Sequence, residues 1–447
     1  MAMEQFLREF EARTQKSKEM FTEACEYLPG GVAGSAAFLA PRPLYVERAE
    51  GARLIDVDGN EYIDLLLGGF PNILGHRAQV IMDAVKAQLD RAVAPILFQR
   101  MGIELAKKIR KHMPHMERIR FCNTGSEATQ NALRAARAWT KKEKIARVEG
   151  GYSGGHDYVL SSGVSGRVDG PPERPRPVAD CAGIPRCILE NTIIIPFNDI
   201  DSTVAIIEEH AHELAGVLIE PVAGFGMGCI PADKEYLQAL RDVTRKNKVL
   251  LIYDEIVTAF RLAGMGGAAE YYGVAPDLDC VGKPIGGGFP VGGFGGSKDI
   301  MESTCSPTAD PSTKIFQSGT FTGNPISMTA GLACLTALET KDYSYIDRLG
   351  EKVRGGLRDL AAKYGMEMQI AGLCSIFMPH FNSQPIRNNR DKIKGNVAKQ
   401  REFCLGMIVN GVYLPPMHAG AMCFAHTEED VNQILKIAEK VMGEMKE

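Results

Sequence analysis

The chain has 447 residues, 45% of them hydrophobic and 24% charged, with a formal net charge of -4. That length and balance imply a large buried core in two or more lobes, and they exclude the basic footprint of a nucleic-acid binder and an apolar run long enough to span a membrane. The opening segment, MAMEQFLREFEARTQKSKEMF, is charged throughout, so no signal peptide is expected and the cytoplasm is the default location.

In chain order, Phe6, Phe10, Phe21, Ala24 and Leu28 give residues 4–28 the period of one amphipathic helix, stopped by Pro29-Gly30-Gly31. PLYVERAEG, ARLIDVDGN and EYIDLLLGG predict short strands, with a tight turn at Asp58-Gly59. GHRAQVIMDAVKAQLDRA returns to helical period. From about residue 101, helices alternate with apolar strands. A helix over 101–112 is followed by ERIRFCN, SEATQNALRAARAWTKK, EKIARVEGG, TIIIPFN, a helix near 200–213, GVLIEPVAG, a helix over 233–246 and VLLIYDE. This alternation predicts an α/β fold with a mostly parallel sheet covered on both faces. Residues 161–187, rich in Pro, Gly and Arg, predict a long surface loop. The apolar helix MTAGLACLTALE introduces the tail. The reading divides the chain into residues 1–60, 61–330 and 331–447, with the first and last segments forming a smaller lobe.

Chemistry concentrates at the predicted strand ends, where parallel sheets bind ligands. VLLIY runs into Asp254 and Glu255, and DLDCVG runs into Lys283. Burial disfavours the ammonium form of such a lysine, and a neutral amine attacks carbonyls to give a Schiff base. An aspartate beside it can hold a proton on a pyridine nitrogen. Read alone, the same letters also describe a solvated lysine and a helix-capping aspartate.

In FCNTGSEATQ a strand ends at Asn123 and a helix starts near Gly125, with Thr124 and Glu127 spaced as a capping box. The free N–H groups of such a start can hold a phosphate, with Ser126 adding a hydroxyl; on this signal alone an ordinary capped helix is the simpler reading. Tyr152 in GGYSGGHD can stack on a planar ring or fill a loop gap. Glu220 closes another strand in IEPVAG. QSGTFTGNPIS sets Thr320 in a turn able to bind an anion.

Competing motifs fail on context. Gly264, Gly266 and Ala269 match G-x-G-x-x-A without the flanking strand and helix of a dinucleotide site, and Gly282-Lys283 is followed by proline, not Ser or Thr. His112 and His115 lack a third ligand and read as a surface loop, so no metal is expected. The 11 cysteines are dispersed with no C-x-x-C pair, which fits reduced thiols.

Together and in this order, NTGSEA, GGYSGGH, IEPVAG, IYDEI, GKPIGGGFPVGGFGG and GTFTGNP resemble the class III aminotransferases of fold type I, which use pyridoxal 5′-phosphate. LPGGV, DVDGNEYIDL, LGH and FAHTEED are also similar to the subgroup around glutamate-1-semialdehyde 2,1-aminomutase. The resemblance implies a large domain with a seven-stranded sheet, a smaller α+β domain, and a cytoplasmic homodimer with no nucleic-acid or membrane partner. It implies that Lys283 bonds the cofactor and carries a proton, and that Asp254 pairs with the ring nitrogen. Thr124, Gly125 and Ser126 would serve the phosphate, Tyr152 and Ile256 would pack on the ring, and Glu220 would support its 3-oxygen side. Thr320 would reach the phosphate from the partner subunit.

Departures bear on substrate. The aminomutases place a carboxylate-binding arginine soon after PGGV. Here that place holds alanines, and Arg42 comes later. APILF, residues 94–98, brings apolar bulk, and PPMHAGAMCF lacks the mutases' glutamate. The expectation is a ping-pong aminotransferase acting on a small amino donor and an oxo acceptor. The aminomutase, a racemase or epimerase, and a catalytically silent homologue are the alternatives.

Overall fold

The computed structural model describes residues 2–95, 97–416 and 418–446; Ile96 of APILF and Met417 of PPMHAGAMCF lie outside them. The opening helix folds as two, α1 (Ala2–Arg13) and α2 (Gln15–Tyr27). The break falls at Thr14, whose backbone sits at φ -127° and ψ 47°. The guanidinium of buried Arg42 donates to both its carbonyl and its hydroxyl, at 3.1 and 2.8 Å. Asp58, from the predicted tight turn, then caps α2 by accepting from the N–H groups of Lys16 and Ser17 at 2.7 and 3.0 Å. These partners lie far along the chain, so the apolar period alone carries no sign of the break.

Three short strands follow as expected, β1 (Val46–Glu50), β2 (Arg53–Asp56) and β3 (Glu61–Asp64), paired antiparallel. Then come α3 (Gln79–Leu89), α4 (Arg100–His112), β4 (Arg118–Cys122), α5 (Gly125–Thr140), β5 (Lys144–Val148), α6 (Arg186–Glu190), β6 (Thr192–Ile195), α7 (Ile200–His210) and β7 (Leu214–Ile219). A small pair, β8 (Val222–Ala223) and β9 (Ile230–Pro231), precedes α8 (Lys234–Lys246), β10 (Leu250–Asp254), α9 (Gly267–Tyr272), β11 (Leu278–Gly282), β12 (Gly292–Gly296) and α10 (Lys298–Cys305).

Seven of these strands form one sheet in the order β4-β12-β11-β10-β7-β5-β6. Strand β12 is antiparallel to both neighbours, and the others run one way. Both faces are covered: along β10, Leu251 and Tyr253 enter one core while Leu250 and Ile252 enter another. That is why the strand reads as an unbroken apolar run. A Cβ at Gly292 would lie 2.1 Å from the carbonyl oxygen of Thr124, so β12 can pass the start of α5 only as glycine.

The tail comprises α11 (Pro325–Leu338), α12 (Tyr343–Tyr364), β13 (Gln369–Leu373), β14 (Ile376–His380), α13 (Asn389–Lys392), α14 (Val397–Val409), β15 (Val412–Tyr413), β16 (Gly420–Ala421) and α15 (Glu428–Lys446). Strand β15 lies parallel to β3 and completes the N-terminal sheet. Helix α1 packs on α14, where the Met3 N–H donates to Glu402 at 2.8 Å.

The predicted long loop is strapped to the tail. Arg390 of α13 donates to both oxygens of buried Glu149, at 2.8 and 2.9 Å, and to the carbonyls of Gly170 and Asp169. The histidines read as a surface loop are engaged instead. His112 ends α4 against Glu339 at 2.9 Å, and His115 reaches fully buried Asp279 at 2.8 Å. Among the described residues no helix is long and apolar enough to cross a membrane.

Phe10 is 1% exposed and lies under the Arg42 guanidinium at 5.2 Å. Phe10→Ala should cost about 3–5 kcal/mol, as expected for truncating a buried ring, and lower the urea midpoint accordingly. An unchanged midpoint would show that α1 lies outside the cooperative core.

Candidate active site

Because the strands around it are parallel, β4, β5, β7, β10 and β11 end at one edge of the sheet. Those ends deliver Gly125, Tyr152, Glu220, Asp254 and Lys283 to one cavity of about 360 Å³, with Ser126 and Ile256 beside them. Of the expected site residues, Thr124 and Thr320 do not line it.

Lys283 is held under strain. Its backbone adopts φ 47°, in the left-handed region, and its Nζ donates to the carbonyl of Gly69 at 2.5 Å. That carbonyl belongs to a run of four left-handed residues, Leu67, Gly68, Gly69 and Phe70, with φ of 53°, 71°, 82° and 83°. Leu67 and Phe70 pay a conformational cost of about 1–3 kcal/mol each there. Buried Arg261 keeps the turn in place by donating to the carbonyls of Phe70 and Met422 at 2.9 and 3.0 Å. Burial pushes the Lys283 amine down to about 8, against the opposing pull of Asp254 and with the help of the Arg261 charge. Its neutral, nucleophilic form is therefore accessible near neutral pH.

Two buried carboxyls face that amine. Asp254 accepts the N–H of Ile256 at 3.1 Å and a hydrogen bond from Ser153. Glu220 accepts from the N–H groups of Tyr152 and Gly224 at 2.7 and 3.1 Å. Burial raises both above the ordinary carboxyl range, and the charge of Asp254 raises Glu220 further. Arg147 favours the ionised form of both, whereas Lys283 favours that of Asp254, so Glu220 holds the proton of the pair.

The start of α5 presents free backbone N–H groups suited to an anion. Thr124 spends its side chain on the cap, accepting from the Glu127 N–H at 3.1 Å. Glu127 returns to the N–H of Asn123 at 2.9 Å, one residue earlier than a standard capping box would have it. Thr124 is thus a capping residue exposed to solvent, while Gly125 and Ser126 face the cavity. The glycine loop after β5 closes down on them. The Gly155 N–H donates to Ser126 Oγ at 3.0 Å, and a Cβ at Gly154 would fall 2.6 Å from that same atom.

The walls contain residues that the sequence reading did not pick out. Phe225 stands between Tyr152 and His418, with ring centroids 4.9 and 4.7 Å away, and Leu66 and Phe70 also line the cavity. Phe225 directly follows IEPVAG and His418 lies within PPMHAGAMCF, so both were adjacent to quoted segments. Thr320 sits in an exposed turn. Arg42, the arginine nearest the PGGV segment, is 4% exposed, paired with Glu11 and bonded to Thr14.

An amine for an aldehyde, an acid for a ring nitrogen, helix-start N–H groups for a phosphate, and apolar walls for a ring fit pyridoxal phosphate. Comparison with known proteins agrees. Residues 37–442 match the family model described as aminotransferase class-III. The chain is 40% identical over 434 residues to the glutamate-1-semialdehyde 2,1-aminomutase of Methanothermobacter thermautotrophicus, covering 96% of this chain and 100% of that relative. It also superimposes on an omega-transaminase from Sphaerobacter thermophilus, with a TM-score of 0.91 and 32% identity, covering 96% of this chain and 98% of the other. A transaminase with PLP bound gives a TM-score of 0.86 and 31% identity, covering 96% and 97%.

Two measurements test the electrostatics. Cofactor incorporation into the apo protein, followed by its visible absorbance, should accelerate as pH rises through about 8, where Lys283 loses its proton. A rate flat from about pH 6 to about pH 10 would contradict a desolvated amine. Glu220 has a folded pKa above its unfolded value of 4.5, so the stability of its protonated form is present at low pH and lost as pH rises through the folded value. Glu220→Gln should therefore raise the apo Tm by an amount that grows with pH above the ordinary glutamate range; a pH-independent change would refute this.

Proposed function

The chain belongs to the class III aminotransferases and uses pyridoxal 5′-phosphate, and from that premise we propose that it moves an amino group from an amine or amino-acid donor to a separate oxo acceptor. The observation that carries this reading is the condition of Arg42. It is buried and committed to Glu11 and Thr14, and so is withdrawn from any substrate carboxylate. The tail contributes His418 to the cavity, not an acid. Both features disfavour a substrate of the aminomutase kind.

Bound pyridoxal phosphate supplies a carbonyl that condenses with amines and a protonated ring that accepts an electron pair. In our reading Asp254 holds the proton on the ring nitrogen. The neutral Lys283 Nζ takes the proton from the donor's reacting carbon and delivers it to the next atom. Gly125 and Ser126 bind the phosphate at the start of α5. Tyr152 and Ile256 hold the ring, and Glu220 donates its proton towards the ring's 3-oxygen. Water supplies the oxygen of the oxo product while the amino nitrogen would stay with the bound group, and an oxo acceptor would then take that nitrogen and release water by the same steps in reverse.

We place this chemistry in a homodimer, with the partner subunit's Thr320 completing the phosphate site. In support, Leu97 and Phe98 of the 94–98 segment and Phe316 and Phe321 beside Thr320 are 78%, 56%, 82% and 59% exposed, an unusual apolar display.

The second reading, glutamate-1-semialdehyde 2,1-aminomutase, is favoured by the full-length identity with the Methanothermobacter protein. A donor screen with separate 2-oxo acid acceptors decides. The transferase reading expects the donor alone to bleach the visible band once and the oxo acid to restore it over repeated turnovers. Isomerisation of the semialdehyde with no dependence on any acceptor would overturn it.

A further inference from the structure

Three buried arginines, Arg42, Arg147 and Arg261, are each committed to the fold. Arg42 is paired as described. Arg147 is 1% exposed and donates to the carbonyls of Val159, Ser161 and Gly151. Arg261 serves the carbonyls of Phe70 and Met422. Among the described lining residues, Lys283 is the one lysine or arginine, and the chemistry occupies it; the acids there are the ionised Asp254 and Glu220, which holds its proton. A donor carboxylate finds no guanidinium on this lining, and the ionised Asp254 opposes it.

A second cavity of about 460 Å³ adjoins the first, and Leu66, Phe225 and His418 face both. Its far wall is apolar, with Phe38 and Leu405 among its side chains, and its charged group is Arg401 of α14. Arg401 has no hydrogen bond or ion pair to another described residue. An unpaired guanidinium at the rim of an apolar pocket is complementary to an amphiphile with a terminal carboxylate, which it can grip with two parallel N–H···O bonds.

Resting on the aminotransferase reading above, we propose that this second cavity is the subsite for the non-reacting end of the donor. The donor is an amine whose carboxylate is separated from the reacting carbon by an apolar spacer, and Arg401 anchors that carboxylate. The spacing follows from the partition. The reacting carbon must lie at Lys283, Arg401 lies beyond Leu66, Phe225 and His418, and a carboxylate bonded directly to the reacting carbon does not span that wall. The spacer passes the aromatic edges of Phe225 and His418 and lies against Phe38 and Leu405. Arg401 is a specificity residue that touches substrate at a distance from the bond changes.

The test uses the pyridoxal-phosphate-loaded enzyme and two matched donors, 6-aminohexanoate and hexylamine, which differ in the carboxylate. Arg401 is on the exposed face of a helix, so Arg401→Gln should fold normally. Loss of a charged hydrogen-bond pair predicts a rise in KM for 6-aminohexanoate of about 10- to 100-fold, with hexylamine unchanged and Arg401→Lys partly restoring the loss. Octanoate, which has the spacer and carboxylate but no amine, should bind by calorimetry to the wild type and about tenfold or more weaker to Arg401→Gln. Equal effects on both donors, or octanoate binding indifferent to Arg401, would overturn the proposal while leaving the transferase reading intact. Arg401-dependent octanoate binding with no transamination of any donor would retain the subsite and sink the transferase reading.

Discussion

The partial removal of one lysine side chain from water is the constraint on which this structure depends. Lys283 ends a strand buried on both faces, its amine facing a carbonyl held in a strained turn and a pair of buried carboxyls. An ammonium in that position costs free energy, and the cost is what makes the amine reactive. Much of the surrounding architecture serves to maintain it. Arg261 fixes the strained turn, the parallel sheet brings Asp254 and Glu220 alongside, and the second buried layer under β10 keeps water from the other face.

The sequence disclosed those parts that follow from local pattern. Short apolar runs gave the strands, and a parallel sheet then forces their ends together, which is why Asp254, Glu220, Tyr152 and Lys283 were legible as one site. The capping residues at 124 and 127 were legible too, although the structure shows Thr124 absorbed by the cap instead of the cavity. What stayed hidden depends on contacts far along the chain. The break at Thr14 comes from Arg42 and Asp58, and the anchoring of residues 161–185 comes from Arg390. Asp279 draws His115 inward although nothing near His115 in sequence announces it. Leu66, Phe225 and His418 meet from three separate segments, so periodicity could not have joined them.

The same separation explains how one scaffold serves different reactions. The cofactor floor is built from strand ends and a helix start, which the fold fixes. The walls are built from loops and from the tail, where residues can change without disturbing the sheet. Arg42 illustrates the point: an arginine near the right place in sequence has been turned into a strut between α1 and the following loop. In the proposed reading, substrate choice in this chain is accordingly a property of Phe225, His418 and the cavity behind them, and the chemistry a property of Lys283 and Asp254.

Lys392 provides an internal rival for the central claim. It too is a half-buried amine that desolvation pushes down to about 8, bonded to the carbonyl of Gly226 at 2.5 Å. Borohydride reduction of the loaded protein, followed by peptide mapping, asks directly which amine carries the cofactor. The account predicts a single pyridoxyl tag, on the peptide containing Lys283. A tag on Lys392 or any other lysine, with Lys283 unmodified, would contradict it.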